Sequence, residues 1–113
     1  MALTIYHNPR CSKSSEALAL LEGEGLSPRV VEYLKTPSSR AELKRILKML
    51  GLPARDVVRK KEAADAKIDP DALTEAELVA AMAKHPEIIE RPIVVNGNKA
   101  ALGRPPERVL EIV

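Results

Sequence analysis

The stretch that decides the fold is one in which a strand pattern gives way to turn residues and then to a helix. It is Leu3-Thr4-Ile5-Tyr6-His7-Asn8-Pro9-Arg10-Cys11-Ser12-Lys13-Ser14. The first four residues alternate in the manner of a strand, and the next four are turn formers that interrupt it. Over residues 12–24 apolar side chains recur on one helical face, and Gly25 supplies a left-handed stop. Cys11 is therefore expected at or just before a helix N-terminus.

The segments that follow extend this start into alternating strand and helix. Residues 29–34 are β-rich, so the chain up to residue 34 is a candidate βαβ unit with parallel strands and a right-handed crossover. Capping boxes at Ser39 and Thr74 predict helices that end at Gly51 and near residue 84. Pro53 fits the first turn of a short helix through residue 59, because its missing N–H is not needed there. Residues 60–70 are interpreted as a loop.

The last third of the chain changes character. Residues 92–95 form a β-branched run, Asn96-Gly97-Asn98 is a hairpin turn, and residues 99–102 can return antiparallel. Pro105-Pro106 then starts a terminal helix. The order βαβ, helices, ββα predicts an α/β fold of the thioredoxin-like kind, with a mixed four-stranded sheet and a helical insertion over about residues 38–85.

Length and composition restrict what the protein can be. A chain of 113 residues is expected to form a single domain over residues 1–113, and the chain is 45% hydrophobic and 30% charged, as in a globular protein. A net charge of +2 and an aromatic content of 2% argue against nucleic-acid binding. No segment approaches the ~20 apolar residues that span a bilayer. A cytoplasmic monomer is the expectation.

Cys11 is the one cysteine of the chain, which excludes an internal disulfide and a cysteine-rich zinc site. At a helix N-terminus, backbone N–H groups and the helix dipole favour the thiolate and lower the pKa of the thiol. Arg10 and His7 are expected to add positive charge, and the hydroxyls of Ser12 and Ser14 can donate hydrogen bonds. The polar neighbours argue against the alternative of a small buried hydrophobe. Ser14 stands where a Cys-x-x-Cys pair has its second cysteine, so a second thiol must come from outside.

Taken together, several motifs make the chain resemble the glutaredoxin-dependent arsenate reductase family, which has a thioredoxin-like fold. The first is the run of residues 7–14 quoted above. The others follow in the family's order over nearly the whole chain: Tyr33-Leu34-Lys35-Thr36-Pro37, residues 52–60 ending in Arg59-Lys60, His85-Pro86, Arg91-Pro92-Ile93-Val94-Val95 and Arg104-Pro105-Pro106-Glu107. None of these motifs is specific alone, but jointly they are.

The resemblance implies a nucleophile and an oxyanion site. The Cys11 thiolate attacks arsenate and displaces water or hydroxide, while three arginines matched by Arg59, Arg91 and Arg104 hold the oxyanion. The planar fork of arginine suits a tetrahedral oxyanion better than the point charge of lysine. A thioredoxin-like fold also places a cis proline before its third strand, and Pro92 in that place would bring Arg91 near Cys11.

The same resemblance implies the other participants. Glutathione, as a co-substrate rather than a bound cofactor, adds to the arsenic adduct, and glutaredoxin accepts the glutathione so that arsenite is released. His7 matches the histidine that favours the thiolate, and Asn8, Ser12 and Ser14 belong to the supporting loop. The residues themselves predict no metal, because among His7, Cys11 and His85 only the single pair His7 and Cys11 has the close spacing that is typical of zinc sites.

Alternatives remain at this stage. Each arginine could be a solvated charge: Arg59 in a basic run, Arg91 beside Glu90 in an ion pair, and Arg104 in a turn. Charged residues around the nucleophile leave room for a glutathione-linked enzyme acting on another oxyanion. The same fold also occurs in Spx-type regulators that bind RNA polymerase and sense redox state, and in modules that have lost their chemistry. Ser14 and the arginine set favour the enzyme.

Overall fold

The structure, a computed structural model, describes residues 3–113. The strands are β1 Leu3–Tyr6, β2 Arg29–Val31, β3 Ile93–Asn96 and β4 Lys99–Leu102. The α-helices are α1 Ser12–Gly23, α2 Arg40–Leu50, α3 Lys60–Asp65 and α4 Glu75–Lys84, and 3-10 helices cover Ala54–Val57, Pro86–Ile88 and Pro106–Ile112. Two compact units emerge: a sheet unit, which runs to Thr36 and resumes over Arg91–Val113, and a helical unit, Pro37–Glu90.

The sheet unit is built on one mixed sheet with strand order β2-β1-β3-β4. β1 pairs with β2 in parallel and with β3 antiparallel, so that Ile5 lies opposite Val30 on one side and Val94 on the other. β3 and β4 form the expected hairpin, whose turn has Gly97 at φ 63°. The predicted thioredoxin-like mixed sheet is confirmed.

The core of the sheet unit lies between the sheet, α1 and the terminal 3-10 helix. Its fully buried members are aliphatic: Ile5, Ala17, Leu21, Val94 and Val109. Burying a side chain of the Val, Leu or Ile size contributes about 1.5–3 kcal/mol, which holds α1 against β1 and β3. Ala17 and Leu21 share one face of α1 with Ser14, which is also fully buried. This face therefore carries Ser14, three residues after Cys11, into the interior.

The helical unit is organised by two capped helices that pack against each other, α2 and α4. The Ser39 hydroxyl accepts a hydrogen bond from the N–H of Glu42 at 3.1 Å, and α2 ends at Gly51 with φ 69°. Thr74 and Glu77 form a complete capping box at the start of α4, as the sequence predicts. The buried apolar residues of the two helices are Leu43, Ile46, Leu47, Leu78, Val79 and Met82.

Four features differ from the sequence-based expectations. Residues 60–70 are not all loop, since Lys60–Asp65 is helical, and its pattern is weak because Ala63 alone among these six residues is fully buried.

β2 ends at Val31 because Glu32 begins a turn, with its carbonyl accepting from the N–H groups of Lys35 and Thr36. The short helix after Pro53 ends at residue 57, with Pro53 as its N-cap. The terminal helix is of the 3-10 type. Within residues 3–113, no helix is long and apolar enough to cross a membrane.

Candidate active site

Cys11 is the N-cap residue of α1, as the sequence predicts, with extended backbone angles of φ −97° and ψ 120°. Its N–H donates to the carbonyl of Asn8 at 3.0 Å, and its own carbonyl accepts from the N–H of Ser15 at 3.0 Å. The preceding loop is attached to the sheet by the N–H of His7, which donates to the carbonyl of Val31 at 2.8 Å. The thiol, half-buried, thus lies where the free N–H groups of the first helical turn converge.

A buried hydrogen-bond network around Ser14 holds the loop before Cys11. The Ser14 Oγ lies 2.6 Å from Nδ1 of His7 and accepts from the N–H of Asn8 at 3.1 Å. Asn8 in turn accepts the N–H of Arg10 on its Oδ1 at 3.0 Å. His7, Asn8 and Ser14 are all buried, so each of these polar groups needs the others. The network links both sides of Cys11 in sequence to one buried hydroxyl.

His7 takes part in this network as a neutral ring. Burial lowers the pKa of His7 below its ordinary value of 6.5, and the nearby carboxylate of Glu32 opposes this only in part. The expectation that His7 adds positive charge is therefore wrong, because a buried imidazole loses more hydration on protonation than Glu32 returns. Its contact with Ser14 shows a role in holding the loop.

Two arginines from the far end of the sheet unit reach the sulfur. Arg104 donates from Nη2 to Sγ of Cys11 at 3.9 Å, and from Nε to the carbonyl of Arg91 at 2.9 Å. The Arg91 side chain also donates to the Cys11 sulfur. The Arg91-Pro92 bond is cis, and the expectation that this places Arg91 near Cys11 is confirmed. Both arginines are partly buried and contact the sulfur, so neither side chain is surrounded by solvent alone.

These contacts decide the protonation of the thiol. Burial by itself raises the pKa of Cys11, but the backbone N–H of Ser14, the Arg91 guanidinium and the backbone N–H of Lys13 act in the opposite direction. The net effect lowers the pKa of Cys11 below its ordinary value of 9.0. Ser12 is the exposed first residue of α1. The site therefore favours the thiolate form of Cys11 beside arginine donors, which is the arrangement that a nucleophile for anionic substrates needs.

Arg59 lies in the helical unit and is held there by two carboxylates. Its Nε donates to Glu62 and its Nη1 to Glu90, both at 2.8 Å, with 24% of its side chain exposed. Burial lowers the pKa of Arg59, but the two carboxylates outweigh it and the net shift is upward. Arg59 is thus not the solvated end of a charge run. Its part in oxyanion binding stays a prediction.

Sequence reasoning missed the two partners of Arg59. The spacing of Arg59 and Glu62 is a helical i, i+3 pair and was visible in the sequence. The pairing of Arg59 with Glu90 was not visible in the sequence, because it depends on a single antiparallel bridge between Val58 and Ile89 that brings Glu90 beside Arg59.

Among residues 3–113, no group of three His, Cys, Asp or Glu side chains is arranged to hold a metal ion.

A mixed four-stranded sheet with a cysteine of lowered pKa at the N-terminus of its first helix and a cis proline before β3 defines a thioredoxin-like protein. The chain belongs to the ArsC family, whose sequence pattern matches residues 6–112. The resemblance inferred from the motifs is confirmed.

Relatives and a solved structure agree with this assignment over nearly the full length of the chain. The chain is 48% identical over 116 residues to the arsenate reductase of Haemophilus influenzae, covering 100% of both chains. It is 51% identical over 112 residues to the uncharacterized protein YfgD of Escherichia coli K12, covering 96% of this chain and 94% of that protein. The solved arsenate reductase from Vibrio cholerae superposes with a TM-score of 0.92 at 51% identity, covering 100% of this chain and 98% of the other.

Proposed function

We propose that this protein reduces arsenate to arsenite, with Cys11 as the nucleophile and glutathione and glutaredoxin as the sources of electrons. The observation that carries the proposal is a half-buried thiol of lowered pKa to which two arginine side chains donate. Relatives of nearly the same length that are named arsenate reductase support the choice of substrate.

The first step is a substitution at arsenic without a change of oxidation state. The Cys11 thiolate attacks arsenate, a sulfur–arsenic bond forms, and one arsenic–oxygen bond breaks with loss of hydroxide or water. Thiolate and arsenate are both anions, and Arg91 and Arg104 offset their repulsion at the sulfur itself. Arg59 is proposed as the third oxyanion ligand on its sequence motif alone.

The reduction itself takes two electrons, which come from two further thiols. Glutathione displaces a second oxygen from arsenic, again without a change of oxidation state. A glutaredoxin thiolate then attacks the glutathione sulfur, so that a disulfide forms between the two, the arsenic–sulfur bond breaks and its electron pair reduces arsenic(V) to arsenic(III). Hydrolysis of the remaining Cys11–arsenic bond releases arsenite and restores the thiol. The absence of a second cysteine in the chain fits this external supply.

The test is turnover of arsenate by purified protein with glutathione, glutaredoxin and an NADPH-coupled recycling system. We expect NADPH oxidation that depends on arsenate, and we expect Cys11→Ser to abolish it. Parallel assays with phosphate, selenate and chromate identify a different oxyanion substrate if there is one. Absence of arsenate turnover by the wild type in this complete system would contradict the proposal.

The arginine assignments are tested by alanine substitution. Arg91→Ala and Arg104→Ala should raise the KM for arsenate at least tenfold, while the free energy of unfolding changes by about 1 kcal/mol or less, because partly exposed charges add little stability. Arg59→Ala tests the third ligand, and Arg29→Ala, an exposed arginine on β2, is the matched control. An equal loss of stability and of substrate affinity would make these arginines structural.

A further inference from the structure

Gly103 occupies a place that has no room for a side chain. Its N–H donates to the carbonyl of Pro92 at 2.8 Å. A Cβ atom added here would lie 2.6 Å from Cγ of Pro92 and 3.1 Å from Cγ1 of Val109. Both neighbours are fully buried, and a proline ring cannot rotate out of the way. Glycine alone lets the chain after β4 run this close to the cis proline.

The residue after Gly103 is Arg104, and the same two segments meet again there. Arg104 donates from Nε to the carbonyl of Arg91, the residue before Pro92, at 2.9 Å. Its Nη2 extends from this point to the sulfur of Cys11 at 3.9 Å. Two consecutive hydrogen bonds therefore join the two segments: Gly103 donates to Pro92, and Arg104 donates to Arg91. Displacing Gly103 from Pro92 must lengthen the hydrogen bond between Arg104 and the carbonyl of Arg91, and it must move the Arg104 guanidinium.

We propose that Gly103 is a positioning residue for Arg104. Its lack of a side chain sets the distance between residues 103–104 and residues 91–92. This distance in turn sets the position of the Arg104 guanidinium beside the sulfur of Cys11. An added methyl group needs a displacement of roughly 1 Å to restore an ordinary van der Waals separation. A misplacement of that size at a substrate-holding group costs up to about a hundredfold in rate. This inference rests on the proposed function only for the measurements of arsenate turnover, because cysteine alkylation needs no arsenate.

The experiment compares Gly103→Ala with Gly23→Ala, the same substitution at the end of α1, where a Cβ meets nothing within 4 Å. Folding is checked by circular dichroism and by NMR of the backbone amides. The rate of Cys11 alkylation by iodoacetamide is measured against pH, and the kcat and KM for arsenate are measured separately. For Gly103→Ala we expect the alkylation profile to move to higher pH and kcat/KM to fall roughly tenfold to a hundredfold. Gly23→Ala should match the wild type in both.

A second comparison separates positioning from general packing. In an Arg104→Gln background, Gly103→Ala should cause no further change in the alkylation profile, because the group that it displaces is already gone. Additive effects, or an alkylation profile of folded Gly103→Ala equal to that of the wild type, would overturn the proposal. A Gly103→Ala chain that does not fold would also overturn it, since Gly103 would then serve the core rather than Arg104. The alkylation readout needs no arsenate, so failure of the proposed function is seen separately, as absent turnover by the wild type.

Discussion

At the scale of single residues, opposing influences act on the sulfur of Cys11. Partial burial disfavours the thiolate, whereas the amides of α1 and the Arg91 guanidinium favour it. A thiolate is nucleophilic and a thiol is not, so the balance between burial and donors decides how much of the protein is reactive at neutral pH.

The contribution of Arg91 to this balance can be measured. Arg91→Gln removes both a hydrogen bond and a positive charge from the sulfur, so the pKa of Cys11 should rise toward its ordinary value of 9.0. The rate of iodoacetamide alkylation against pH reports this shift directly. Arg29→Gln, at an exposed arginine of β2, should leave the profile where it is in the wild type. An unchanged profile for Arg91→Gln would contradict the assignment of Arg91 to the thiolate.

The buried neutral state of His7 predicts a pH dependence of stability. Because the pKa of His7 in the fold lies below the unfolded value of 6.5, the unfolded chain takes up the proton first as the pH falls. The contribution of neutral His7 to the stability of the fold is fully present above pH 6.5, and it is lost as the pH drops from there toward the pKa of His7 in the fold. Urea unfolding at a series of pH values from about 7 to 5 should show this decline.

The control for this prediction is the second histidine of the chain. The decline between pH 6.5 and 5 should flatten in His7→Gln and persist in His85→Gln. A decline of the same steepness in both variants would show that His7 is not its source.

At the scale of elements, α1 is built for its N-terminus. Its first turn is Ser12-Lys13-Ser14-Ser15, without the acidic residue that would stabilise the positive end of the helix dipole. Its buried face begins with a serine rather than an aliphatic residue. The missing acidic residue and the buried serine each lower the local stability of the helix. Together they leave the helix amides directed at the Cys11 sulfur and the preceding loop attached through Ser14. The aliphatic part of the same face, packed on the sheet, holds the helix in place.

α4 shows the opposite choice, with a start that is optimised for stability. The Thr74 hydroxyl accepts from the N–H of Glu77 at 3.2 Å, and the Glu77 carboxylate accepts from the N–H of Thr74 at 2.9 Å. Thr74→Ala should therefore lower the free energy of unfolding by about 1 kcal/mol in urea titration, while Thr74→Ser, which keeps the accepting oxygen, should lose less. Equal losses in the two variants would show that the hydroxyl is not what matters.

At the scale of the whole molecule, the single-domain hypothesis makes a prediction about cooperativity. The sheet unit and the helical unit each have their own buried core, with Ile5 fully buried in one and Leu78 almost fully buried in the other. Each of Ile5→Ala and Leu78→Ala should cost about 2–5 kcal/mol. If the chain is one cooperative domain, both substitutions shift the same single urea transition, followed by circular dichroism and by tyrosine fluorescence. Two transitions, each moved by only one of the substitutions, would show independent domains.

Local patterns predicted the elements that depend on neighbours in sequence. The starts of α1, α2 and α4 and the β3–β4 hairpin follow from capping, periodicity and turn residues, which act within a few positions. The helix α3 was missed because it buries only Ala63 fully, and a single buried residue has no period.

The sequence by itself determined that a lone cysteine stands at the start of a helix after a short strand, and that it has no second cysteine in this sequence to pair with. Those properties depend on local backbone preference and on composition. Only the tertiary structure decided that Arg91 and Arg104 reach the sulfur and that His7 is neutral. Arg104 is 93 positions from Cys11 in the chain, and the pKa of His7 depends on burial by the whole fold. Contacts between distant segments and the loss of solvent exist only once the sheet and its helices have packed, and these contacts lower the pKa of Cys11 and bring the arginine donors beside it.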